Sequence, residues 1–197
     1  SKTTQAAVLM QNCGTIIAND VSIGRISILI ANLERCGVTN TIVTRHGGME
    51  LAQKLERLNM QCDKILVDAP CSGEGNIRCS PRTYLEWSEG LLHALSRKQK
   101  KLAGSVITLL KKGGELVYST CTHAPEENEE VVQFLLDSFG LEIIAVRDRL
   151  PDELKTRPGI LEWKGQKFHP DMKHAVRIYH HDNDLEGFFL CGLRKKE

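Results

Sequence analysis

Short apolar, β-prone runs alternate with stretches of helical period along most of this chain, and that alternation confines it to the α/β class. Lys2 to Cys13 reads as a helix stopped by Gly14, and Thr15 to Asp20 as the strand after it. Ile26, Leu29, Ile30 and Leu33 recur at helical spacing before Gly37. Thr41 to Thr44 reads as a strand, Leu51, Leu55 and Leu58 mark a short helix, and Ile65 to Asp68 is the next strand. A long helix is expected from about Ser88 to Leu110, closed by Gly113 and Gly114, followed by a strand over Glu115 to Ser119. Pro125 and the acidic run Glu126, Glu127, Glu129 and Glu130 suit a helix N-terminus, where proline is tolerated and the dipole favours carboxylates. Leu141 to Val146 and Gly187 to Leu193 read as strands, and 148–186 as a polar insertion without clear period. The pattern predicts one doubly wound α/β domain over 1–197, with a mostly parallel sheet and helices on both faces.

A length of 197 residues is enough for one such domain with a real core. The formal net charge of +1 means that any nucleic-acid contact must rest on local basic patches. No apolar stretch approaches the roughly 18 residues of a membrane span, and the opening Ser1-Lys2-Thr3-Thr4-Gln5 does not read as a secretory signal. Seven cysteines, an odd number with no CxxC pair, argue against a zinc site and for free thiols in a reducing, intracellular setting.

Two of those cysteines stand out. Cys71 lies in Asp68-Ala69-Pro70-Cys71-Ser72-Gly73 and Cys121 in Tyr118-Ser119-Thr120-Cys121-Thr122, each just past a β-prone run. Both therefore sit at carboxyl ends of strands, where an open α/β sheet gathers its ligands. On base rates a cysteine after a strand is a small buried hydrophobe. The matching placement instead suggests a paired-thiol site, while Cys13, Cys36, Cys62 and Cys191 read as structural and Cys79 as a bystander.

The two cysteine motifs, followed by Glu126-Glu127-Asn128-Glu129 and Glu186-Gly187-Phe188-Phe189, resemble the NSUN/Fmu family in order and spacing. The stretch Lys164-Gly165-Gln166-Lys167-Phe168-His169-Pro170 with Arg177-Ile178-Tyr179 is most similar to its nucleolar, rRNA-directed branch and archaeal relatives. The resemblance implies a Rossmann-like, S-adenosyl-L-methionine-dependent RNA cytosine-5 methyltransferase acting on tRNA or rRNA. It implies Cys121 as the nucleophile that adds to carbon 6 of cytosine, Cys71 as the thiol that assists product release, and Asp68 at the cytosine edge.

For the cofactor, the family's Gly-rich loop ends in a Gly-x-Lys-Thr pattern whose tail corresponds here to Ser1, Lys2 and Thr3. The strand and glycine turn expected before that helix do not appear in this chain. Asp20 is expected to hold the ribose hydroxyls, as an acidic residue does in Rossmann-like sites, with Arg25 beside it. Asp68 is counted with the cofactor residues too. Gly47 occupies a position where the family often carries an aspartate near the adenine, leaving His46 or backbone groups to read that ring.

Flipping or single-strandedness of the RNA is implied, since the base must reach the cysteines. The expected phosphate contacts are Arg78, Arg82, Lys167 and Arg177, and an upstream RNA-binding region is expected in the full-length protein. No metal and no membrane association are expected. The compartment is cytoplasmic in a prokaryote, or nuclear or nucleolar in a eukaryote. A DNA-directed enzyme and a catalytically silent RNA-binding or ribosome-assembly factor are the alternatives.

Overall fold

The computed structural model describes residues 2–197, so the expectation for Ser1 lies outside the described residues. The chain divides into two compact units, 1–57 and 58–197, each considered by itself.

The first unit runs α1 (Lys2–Leu9), β1 (Ile16–Asn19), α2 (Ile23–Arg35), β2 (Thr41–Thr44) and α3 (Gly48–Arg57). β1 and β2 pair in parallel, Ile16 opposite Thr41 through Asn19 opposite Thr44. Ser22 caps α2 by accepting a hydrogen bond from Arg25 N–H. The first helix stops at Leu9 and not at Cys13. Gln11 and Asn12 turn into the left-handed region, and the Asn12 side chain ties down Thr39 N–H and Gly37 O.

The second unit holds β3 (Cys62–Asp68), a 3-10 turn at Glu74–Asn76, α4 (Pro81–Glu86), α5 (Glu89–Ile107), β4 (Leu110–Thr120) and a turn at Pro125–Glu127. It continues with α6 (Glu129–Ser138), β5 (Leu141–Ile144), the short strands β6 (Arg157–Pro158), β7 (Glu162–Trp163) and β8 (Gln166–Lys167), then β9 (Val176–Ile178), α7 (His180–Asn183) and β10 (Phe188–Lys195). β3 and β4 are parallel, and β10 lies antiparallel to both β4 and β5, so β3, β4 and β5 share one direction. The far edge of β10 is divided: Phe188–Leu190 pair with β9 and Gly192–Lys195 with β5. The expected polar insertion is thus partly a sheet extension, β9 and β6, added antiparallel. Tyr118, Leu116, Leu110, Phe189, Leu193, Ile107 and Leu135 fill the core, each contributing on the order of 1.5–3 kcal/mol by leaving water.

Gly113 and Gly114 do not end the long helix. α5 stops at Ile107, and β4 already begins at Leu110. Cys62 pairs with Leu110 but Lys64 with Glu115, so extra residues bulge out of β4, with Gly113 at φ +73°. A side chain would be strained there.

The expectation that Arg177 contacts RNA phosphate is corrected by its position. It lies on β9 and is 2% exposed. Its Nε donates to Glu129 Oε1 (2.8 Å) and its second amino group to Glu129 Oε2, while the third nitrogen serves His123 O (2.9 Å) and the Tyr179 hydroxyl. The guanidinium is consumed by a carboxylate as buried as itself, leaving no edge for a phosphate. This pair fastens β9 to the start of α6. Arg177→Met is expected to cost about 3–5 kcal/mol in urea unfolding, because Glu129 would be left buried and unpaired. The double variant Arg177→Met/Glu129→Gln is expected to recover part of that loss.

Candidate active site

The parallel register of β3 and β4 sets Asp68 opposite Ser119, and Ala69 N–H donates to Ser119 O (2.9 Å) as the strands end. Cys71 and Cys121 follow at nearly equal offsets, and their Sγ atoms come to 3.3 Å. Neither is in a disulfide. Asn76 Nδ2 donates toward Cys121 Sγ at 3.5 Å. The hydrogen bond with Cys121, reinforced by burial, pushes the Cys71 thiol far above the ordinary range, so Cys71 keeps its proton.

Two carboxylates, one buried and one half-buried, clamp the two cysteine loops together. Glu127, fully buried, accepts from Ser72 N–H (3.1 Å) and from Gln99 Nε2 (2.7 Å), and Gln99 also donates to Pro70 O (2.9 Å). Its own backbone carbonyl receives the Tyr118 hydroxyl (2.7 Å). Burial raises the Glu127 pKa, while the Ser72 and Gln99 donors work against that rise. Glu74 reaches from the other side, with Oε2 accepting from Thr122 Oγ1 and His123 N–H, and Oε1 accepting from Trp87 Nε1. Ser72 and Thr122 share a hydroxyl hydrogen bond of 2.8 Å, and Asn128 Nδ2 donates to Thr122 O.

Gly75 is where backbones meet. Its N–H donates to Cys121 O (2.8 Å), and its carbonyl accepts from Gly187 N–H (3.0 Å). A Cβ on Gly75 would stand 2.3 Å from Gly187 O and 2.8 Å from Cys121 O. Beyond Cys121, His123 stacks on Tyr179 (4.9 Å, 21°) and meets His180 edge-on, and Tyr179 stacks on His181.

Asp68 is exposed at the last position of β3. Arg78 and Arg82 are exposed in the segment after Cys71, each in a surface pair, with Asp184 and Glu86 respectively. Lys167 is exposed on β8. In the first unit, Lys2 is exposed at the start of α1. Asp20 follows β1 and takes two hydrogen bonds from Arg25 and one from Ser22 N–H. The Arg25 hydrogen bonds hold its carboxyl below the usual range. Asn19 grips the His46 backbone from both sides, and the His46 ring lies against Glu50 and Lys54. At Gly47 a Cβ would meet only Glu50 Cβ, at 3.9 Å, so a side chain is not excluded by space. Sequence reasoning missed Glu127, Glu74 and Asn76. Of these only Glu127 carried a signal, and it had been read as helix-dipole charge. Among the described residues, no group of three or more His, Cys, Asp or Glu could hold a metal ion.

The family described as 16S rRNA methyltransferase RsmB/F matches residues 1–194. The chain belongs to the RsmB/F family. It is 45% identical over 195 residues to the tRNA (cytosine(49)-C(5))-methyltransferase of Pyrococcus abyssi, covering 99% of this chain and 60% of that protein. It is 44% identical over 195 residues to the ribosomal RNA small subunit methyltransferase F of Vibrio cholerae, covering 99% of this chain and 38% of that one. This RsmB/F chain therefore spans 38% to 60% of the length of these relatives. Among solved structures, the methyltransferase homolog from Pyrococcus horikoshii superposes with a TM-score of 0.84 at 34% identity, over 99% of this chain and 58% of that one. NSun6 from Pyrococcus horikoshii with SFG gives 0.81 at 34% identity, over 100% of this chain and 45% of that one. The fold is the Rossmann-like methyltransferase fold, mixed α/β with a mostly parallel central sheet.

Two tests follow from this geometry. Gly75→Ala is expected to drive apart the loops that carry Cys121 and Gly187. The folded state should be destabilised in urea unfolding by about 1–3 kcal/mol or more, the cost of overpacking, since the clash is with backbone on both sides. Burial, reinforced by His180, lowers the His123 pKa, with Glu74 opposing and Arg177 and His181 reinforcing. The unfolded chain thus binds that proton first, below about pH 6.5, and folded stability falls as pH drops through that point. His123→Phe, which keeps a ring on Tyr179, is expected to flatten this loss below about pH 6.5, as read by urea unfolding.

Proposed function

We propose that residues 1–197 form the catalytic domain of an S-adenosyl-L-methionine-dependent RNA cytosine-5 methyltransferase, with tRNA or rRNA as substrate. The observation that carries this reading is the 3.3 Å approach of Cys71 and Cys121 at the ends of adjacent parallel strands, in a chain of this family. Carbon 5 of cytosine is a poor nucleophile. Cys121, as thiolate, adds to carbon 6; the sulfur–carbon bond forms and the ring's π pair moves toward carbon 5, which becomes nucleophilic. Asp68 faces the cytosine edge and steadies the electron-rich ring. S-adenosyl-L-methionine, when bound, supplies the methyl group. The carbon 5 proton is then lost to a base, the carbon 6–sulfur pair returns to Cys121, and the Cys71 S–H hydrogen-bonds the departing thiolate.

The first unit fits the cofactor at Asp20. An ionised carboxylate at the end of a parallel strand, it accepts three hydrogen bonds from Arg25 and Ser22. It keeps about one of its roughly four acceptor sites for a ribose hydroxyl, so a second hydroxyl would have to displace an Arg25 bond. Lys2 would stand near the methionine end. The backbone at Gly47 would border the adenine, since the His46 ring is turned to Glu50 and Lys54. Arg78, Arg82 and Lys167 would contact phosphates, and an upstream region would add RNA affinity. No helix among the described residues is long and apolar enough to cross a membrane, and paired free thiols fit an intracellular setting.

The test is a denaturing gel of the full-length protein with RNA and S-adenosyl-L-methionine. Cys71→Ala is expected to accumulate a covalent protein–RNA band and Cys121→Ala to give none. The reverse pattern would move the nucleophile to Cys71, as in a DNA-type mechanism. An absence of any band together with an absence of methyl transfer would point to a silent RNA-binding factor.

A further inference from the structure

Asn76 stands in the turn after the Cys71 loop, and its backbone alone closes that turn. Its N–H donates to Gly73 O (2.8 Å), and its carbonyl accepts from Cys79 N–H and Ser80 N–H (both 2.9 Å). The side chain is therefore not needed to shape the segment. Its amide nitrogen donates toward Cys121 Sγ at 3.5 Å, and its Oδ1 is buried with no partner. A buried, unsatisfied carbonyl costs free energy that an apolar residue of similar size would avoid. A side chain kept for packing would not carry that cost; one kept for what its nitrogen does to the sulfur would.

We infer that Asn76 is a positioning residue that favours the thiolate form of Cys121 over its thiol. A hydrogen bond donated to an ionised acceptor is about twice as strong as one donated to a neutral acceptor. The Asn76 N–H therefore stabilises the charged sulfur preferentially. The side-chain amide reaches Cys121, while the donor at Cys71 is the backbone N–H of Cys121, and the two sulfurs lie 3.3 Å apart. Two thiols this close resist ionising together, so removing the Asn76 donor shifts the balance between them away from a charged Cys121. Gly75 sets the aim, since its N–H on Cys121 O fixes the turn one residue before Asn76. The inference rests on the reading of Cys121 as nucleophile, and names what prepares it.

The test reads the sulfur directly. In full-length protein without RNA, the alkylation rate of Cys121 by iodoacetamide is followed across pH by peptide mass spectrometry. Asn76→Ala is expected to move the midpoint of that profile up by about one unit, making Cys121 about tenfold slower to react at pH values below the midpoint. Asn76→Asp, of the same size but placing a carboxylate beside the sulfur, is expected to move it further. Should Asn76→Ala fail to fold, Asn76→Leu, of similar size and without a donor, takes its place and is read in the same way. An unmoved midpoint in a folded variant overturns the inference, and so does a downward shift, which would mean that the amide stabilises the thiol. Because alkylation needs neither RNA nor cofactor, it gives its answer even if the covalent-band experiment fails.

Discussion

The parallel pairing of β3 with β4 is the constraint on which the second unit depends. Parallel neighbours end on the same side of a sheet, so Asp68 and Ser119, opposite each other, release their loops together. Any slip of that register would carry Cys71 away from Cys121. The bulge around Gly113 absorbs the mismatch at the far end of β4, leaving Lys64–Glu115 to Asp68–Ser119 in unbroken step. On its other edge β4 is held by β10 over Phe189 to Arg194. β4 is thus paired on both edges, and Leu116, Tyr118 and Thr120 are buried.

What the strands bring together, carboxylates lock. Glu126, Glu127, Asn128 and Glu129 are all nearly or wholly buried, an unusual density of polar groups in a core. Each meets defined partners. Glu126 takes Trp163 Nε1 and Lys164 Nζ, and Asn128 takes Thr120 Oγ1. Glu127 takes the Ser72 amide and Gln99, and Glu129 takes Arg177 and the Ile160 amide. One short turn therefore reaches the Cys71 loop, the end of β4, β9 and the 160s segment. Buried polar networks of this kind are costly when incomplete, and when complete they fix one arrangement.

The sequence made the alternation of elements plain because apolar period is a local property. β2 was readable to the residue, and Ser88 was readable as the start of α5. The cysteines were legible as a pair because each followed a β-prone run. What stayed hidden was whatever depends on partners distant in the chain. Glu127 and Glu129 look like first-turn carboxylates of a helix, which is how their sequence neighbourhood presents them. Their burial is visible only once Ser72, Gln99 and Arg177 arrive from elsewhere. Arg177 looked like a phosphate ligand for the same reason, a charge judged without the counter-charge 48 positions earlier. Gly113 and Gly114 were misread because a glycine pair marks a helix stop and a strand bulge equally well.

Two identical side chains at 3.3 Å cannot do two different jobs unless their surroundings differ. Here they do. The Cys71 pKa is raised first by its hydrogen bond with Cys121 and then by burial, while the Cys121 backbone N–H works against that rise. Cys121 receives the Asn76 amide and sits where Gly75 and Gly187 bring backbone against backbone. The buried Glu126–Glu129 turn thus holds the Cys71 loop, through the Ser72 amide and Gln99, against the end of β4 that carries Cys121, through Thr120.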